Sequence, residues 1–134
     1  MPIEIDYWIR CDPPNLGILT EVIICLTGAP TAGTNKAAWY AQHNFVIDKI
    51  SVYSTTAPTG QSLIVDCNIN GTTIFTDQSK RPQVAAGANS DDSDTPDVVR
   101  ISLGQRLTFD IDQIGNVVAG GNPLMITLVL VKRG

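Results

Sequence analysis

Basic residues, histidine and aromatics are all scarce in this chain, and each shortage removes a class of function. Nine Lys and Arg stand against thirteen Asp and Glu, a net charge of -4, whereas a phosphate backbone is bound by cations clustered on one face. Nucleic acid is not an expected partner. His43 is the single histidine, so no second imidazole completes a zinc site or a triad with it, and it reads as structural or solvated. Cys11, Cys25 and Cys67 are widely spaced, with no CxxC pair, and read as buried thiols in a reducing compartment. No apolar run approaches the ~20 residues of a membrane span, and MPIEIDYWIR lacks the basic-then-apolar order of a secretion signal. The chain is expected to be soluble, without a membrane partner or a signal. GxSxG and phosphate-loop motifs are absent too. No catalytic residue, cofactor or metal is expected, and the chain reads as non-enzymatic.

Charged residues make up only 16% of the chain, below the usual quarter, and a surface so poor in charge fits an exterior covered by partners. What the chain does have is β-pattern. Leu63, Val65, Cys67 and Ile69 alternate with Ile64, Asp66, Asn68 and Asn70, the period of a strand with one buried face. Asn70-Gly71 suits a type I′ turn, and Thr72–Thr76 is the natural return strand. Phe45 and Ile47 share one parity while Ile50 and Val52 share the other, so a bulge near Asp48-Lys49 is needed to bury all four. Ala57-Pro58-Thr59-Gly60 is a turn. Asp77–Asp97 reads as a long loop with at most a short strand at Gln83–Ala85. Val98–Leu103 restarts the sheet, Leu107, Phe109 and Ile111 alternate, and Leu124–Val131 closes it. In that last strand Val129 and Val131 put apolar atoms on the face opposite Leu124, Ile126, Leu128 and Leu130, and a strand apolar on both faces is usually covered on both.

Six to eight short strands joined by Gly, Pro and Asn loops, with no amphipathic helix, predict an all-β chain: an antiparallel β-sandwich, jelly-roll-like. At 134 residues it holds one domain. The expected division is an extended N-terminal arm over 1–44, carrying a short strand or two, and the sandwich over 45–134. Val22–Leu26 is a possible strand and Lys36–Gln42 a short strand or a helical turn. Cys11-Asp12-Pro13-Pro14-Asn15 stops regular structure. Ile5, Tyr7, Trp8, Ile9 and Leu16 are apolar groups in an irregular segment, and either pack back on the domain or dock on another chain.

Two carboxylate groupings invite chemistry. Asp91, Asp92, Asp94 and Asp97 do not have EF-hand spacing and lack its bidentate Glu, so a solvated acidic loop is the better reading than a Ca²⁺ site. Asp110 and Asp112 share a strand face as paired carboxylates do in glycosidases. With aromatics at only 6% there is little to line a sugar cleft, and a charged outer face answered by Lys49 or Arg100 fits better.

The words APTG (Ala57–Gly60), SLIVDCNINGTTIFT (Ser62–Thr76), RP followed by AAGAN (Arg81 to Asn89) and LTFDIDQIG (Leu107–Gly115) occur in that order. Together they resemble a β-sandwich module of tailed-bacteriophage virion proteins, from Phe45 to about Val131. Cys67 departs from the aliphatic residue expected there. The resemblance implies a structural virion unit, such as a capsid cement or decoration protein. Such a protein binds the major capsid protein on the outer shell, associates with itself as a homotrimer, and is made in the host cytoplasm. The alternative is a tail or fibre component that recognises host glycans through Trp8, Trp39, Tyr40 or Tyr53. Under the cement reading the partner-binding residues are Ile5, Tyr7, Trp8, Ile9 and Leu16 in the arm, with Val129 and Val131 on the sandwich.

Overall fold

A computed structural model describes residues 18–133. The described residues form ten strands: β1 Ile18–Leu26, β2 Gly33–Tyr40, β3 Asn44–Thr56, β4 Leu63–Ile69, β5 Thr72–Thr73, β6 Gln83–Val84, β7 Ser90–Asp92, β8 Arg100–Ile101, β9 Arg106–Gln113 and β10 Gly121–Arg133. Among the described residues there is no α-helix, only a 3₁₀ turn at Gln78–Lys80.

Pairing is nested. β1 pairs with β10, β2 with β9, β3 with β7 and β8, and β4 with β5 and β6, every pair antiparallel. The added contacts β10–β3 and β4–β9 complete two sheets, one ordered β1-β10-β3 with β7 and β8 along its far edge, the other β2-β9-β4 with β5 and β6. A long antiparallel ribbon wound upon itself in this way is the jelly roll, and the all-β sandwich expected from the sequence is the fold observed.

The core lies between the sheets. Leu124, Ile126, Leu128 and Leu130 of β10 face Leu63, Val65 and Cys67 of β4 and Leu107, Phe109 and Ile111 of β9, all of them buried. Each fully buried Leu, Ile, Val or Phe contributes about 1.5–3 kcal/mol relative to an exposed one, so these central strands dominate stability. The bulge is where the parity change requires it. Leu130 pairs with Ile47 and Val129 with Lys49, so Asp48 is the extra residue, and Phe45, Ile47, Ile50 and Val52 are all buried. Asn70 at φ 50 and Gly71 at φ 90 close the β4–β5 hairpin, and Ile74 N–H donates to Cys67 O at 2.9 Å beyond it.

Several expectations need correction. The sandwich does not start at 45, because β1 runs the length of β10 and β2 lies along β9. Residues 18–40 alternate less cleanly than the centre because they form the two strands on one flank of the sandwich, where inner-face residues are only partly covered. The return strand after Asn70-Gly71 is two residues long, and Val98–Leu103 contributes only Arg100–Ile101. β6 falls inside the short strand expected at Gln83–Ala85, but β7 is polar and was not legible; its pairing with Ser51–Tyr53 of β3 makes it a strand. Cys67 is buried as expected, and burial pushes its thiol well up, whereas Cys25 is exposed on the outward side of β1.

Candidate functional site

The outer face of the β1-β10-β3 sheet gathers several exposed apolar groups, Leu19, Ile23 and Tyr53 among them. Strand alternation builds it, because β1 and β10 carry apolar residues at both parities. Register sets its rows: Leu19, Val131 and Val46; then Glu21, Val129 and Lys49; then Ile23, Thr127 and Ser51; then Cys25, Met125 and Tyr53. Leu19 is 63% exposed, Ile23 57% and Tyr53 47%, with Val131, Val46 and Met125 half-buried around them. From strand and row spacings the face measures roughly 10 Å by 20 Å.

Of the two partner-binding residues expected on the sandwich, Val131 sits in this face between Leu19 and Val46 and keeps part of its surface. Val129 is 6% exposed and has little to offer a partner. Its cross-strand neighbours are Glu21 and Lys49, and long side chains on both sides leave a short branched one little contact with water. Ile5, Tyr7, Trp8, Ile9 and Leu16 lie outside the described residues. The sequence reading missed Leu19, Ile23, Val46 and Met125, and named Tyr53 only as a candidate glycan contact. The criterion that singled out β10, apolar residues on both faces, also applies to Ile18–Leu26 and points to Leu19 and Ile23.

The outer face of the other sheet is polar and internally satisfied. Asp66 and Asp110 are directly opposite on β4 and β9. Asp66 is buried and accepts from Cys67 N–H at 2.8 Å and Thr73 Oγ1 at 2.7 Å; burial raises its pKa, with those hydrogen bonds opposing the rise. Asp110 accepts from Asn68 Nδ2 and Asn35 N–H, both at 2.9 Å, and Asp112 pairs with Arg81 at 2.6 Å. The groups that answer Asp110 and Asp112 are thus Asn35, Asn68 and Arg81. Lys49 pairs instead with Asp92 at 3.0 Å, and Arg100 lies on β8 in the opposite sheet.

The acidic loop is likewise engaged. Asp91 accepts from Gln83 N–H at 2.8 Å, Asp92 from Ser51 Oγ at 2.7 Å as well as Lys49, and Asp97 from Lys80 Nζ at 2.6 Å and Asp77 N–H at 2.8 Å. A cavity of about 190 Å³ lies between this loop and Ser79–Arg81. Among the described residues no group of three or more His, Cys, Asp or Glu is placed to hold a metal ion. His43 is exposed and meets Phe45 edge-on at 6.0 Å. The aromatics do not converge on a platform: Trp39 packs inward, 5.7 Å from Phe45, while Tyr40 and Tyr53 are exposed on different sheets.

No protein-family model matches the chain, and no curated protein matches it in sequence. Among solved structures it is similar to the core of NLP from Drosophila, a structure described as giving insight into pentamer formation and histone binding. The two share 18% identity, over 84% of this chain and 98% of that one, with a TM-score of 0.47.

Proposed function

We propose that this chain is a non-enzymatic structural protein of a tailed-phage virion, a cement protein that docks on the outside of the capsid shell as a homotrimer. The observation that carries the reading is the apolar outer face of the β1-β10-β3 sheet, where Leu19, Ile23 and Tyr53 are exposed around half-buried Val131, Val46 and Met125. Apolar side chains grouped on one sheet face of a chain with few charges support a protein contact there. The resemblance of its sequence words to those of phage virion modules supplies the context. The mechanism follows from linkage: covering that face buries apolar area, and a protein that binds only the assembled lattice stabilises it by mass action.

Cryo-electron microscopy of the intact virion tests the reading. Density for this jelly roll is expected on the shell at local threefold positions, with Leu19 and Ile23 turned toward the major capsid protein. Density confined to the tail overturns it and favours a host-recognition role.

A further inference from the structure

The charges on the outer face of the β1-β10-β3 sheet are as ordered as its apolar groups. β10 runs down the middle of this face, presenting Val131, Val129, Thr127 and Met125, and β1 and β3 flank it about 5 Å away on either side. In the row centred on Val129, the β1 flank carries Glu21 and the β3 flank carries Lys49. Glu21 is exposed. Lys49 pairs with Asp92 at 3.0 Å, on the side away from Glu21, and keeps 38% of its side chain exposed. One opposite-charge pair thus straddles the midline of an otherwise uncharged face.

We propose that a second copy of this chain covers the face, in an isologous dimer whose two-fold axis runs along β10. Charge placement selects both the occupant and the axis. Rotation about β10 exchanges the two flanks, so Glu21 of each copy lies over Lys49 of the other. The apolar rows match under the same rotation. Leu19 lies over Val46 and Cys25 over Tyr53, while Val131 and Met125 each meet their own copy on the axis. Other closures fail on charge. An axis across the strands, through the middle of the face, sets Glu21 against Ile23 and Lys49 against Ser51, which leaves both charges covered without a counter-charge from the other copy. A near-perpendicular crossing, the other common way for sheets to stack, brings either Glu21 or Lys49 against its own copy. Lys49 can serve Asp92 and the second copy's Glu21 together, because an ammonium has three donors. The footprint of roughly 10 Å by 20 Å falls short of the about 800 Å² per partner in a standard stable interface, so the dimer is weak and readily exchanged. It does not rest on the capsid reading. Under that reading the shell displaces the second copy, and without it the dimer stands.

Sedimentation equilibrium of the full chain at low salt, between about 10 μM and 1 mM, tests this, and the mass is expected to climb from one chain toward two. Glu21→Lys or Lys49→Glu alone sets like charges together at both contacts and should weaken dimerisation by about tenfold or more. An equimolar mixture of the two variants should dimerise again to within about threefold of the parent, because both contacts are then opposite in charge. General attraction does not explain such a rescue, since each variant keeps a net negative charge. Val131→Arg, on the axis and away from the Lys49–Asp92 pair, sets two cations face to face and should weaken the dimer likewise. A mass that stays constant across the range overturns the proposal. So does dimerisation unmoved by Glu21→Lys and Val131→Arg, or a mixture of the two charge-reversed variants that associates no better than either alone.

Discussion

Replacing Leu19 and Ile23 with alanine tests the docking face with little risk to the fold. Full burial of a Leu or Ile side chain is worth about 1.5–3 kcal/mol, and Leu19 and Ile23 have 63% and 57% of their surface still exposed. A partner that covers them therefore gains about 1–2 kcal/mol from each, which converts to about 5- to 30-fold in Kd per residue. The two side chains are four residues apart on one strand, roughly 13 Å, and their effects should add. Together the substitutions are expected to weaken binding by about 30-fold or more. Stability should change by no more than about 0.5 kcal/mol per site, because exposed positions away from special features tolerate change. The assay is co-sedimentation of purified protein with shells lacking it, alongside urea denaturation of each variant. Tyr40→Ala, exposed on the other sheet, is the control and should bind as the parent does. Binding of the double variant within about twofold of the parent, far less than the burial of two such side chains allows, would refute the assignment of this face.

Ser54→Ala should cost about 1–3 kcal/mol in urea denaturation, because the buried Ser54 Oγ accepts from Gly121 N–H and donates to Thr56 O, both at 2.6 Å; a loss below about 0.5 kcal/mol would contradict that role. Gly71→Ala should destabilise by about 1–2 kcal/mol through backbone strain alone, since Gly71 has φ +90 and nothing lies near the added methyl. Two aspartates should respond to acid with opposite signs. The Lys80 ammonium and Asp77 N–H hold Asp97 down to about 2, so its contribution is present above the unfolded value and is lost as pH falls through the folded one. Asp97→Asn should reduce the loss of stability seen in acid unfolding between about pH 4 and pH 2. Burial raises Asp66, so the folded state takes up its proton first, and this group alone makes stability fall as pH rises through its raised value. Asp66→Asn should remove that cost at neutral pH if the amide oxygen keeps both hydrogen bonds, and a pH-stability profile identical to the parent's would count against the burial argument.

Local pattern in the amino-acid sequence determined a good deal of this molecule. Asn70-Gly71 dictates a hairpin because both residues tolerate positive φ, and the parity change between Ile47 and Ile50 demands a bulge, since no continuous strand can turn Phe45, Ile47, Ile50 and Val52 to one side. The alternation in β4, β9 and β10 likewise specifies the core face of each. Tertiary structure alone decided which strand lies beside which. Nothing within ILTEVIICL says that it pairs with Leu124–Lys132 about a hundred residues away, and the winding of the ribbon is what makes residues 18–40 part of the sandwich. Ser90–Asp92 is a strand only because β3 has an edge to offer it. Exposure was decided at the same level. Val129 and Leu19 are both apolar and outward on neighbouring strands, yet one is covered and the other open, because burial depends on cross-strand neighbours that local periodicity does not contain.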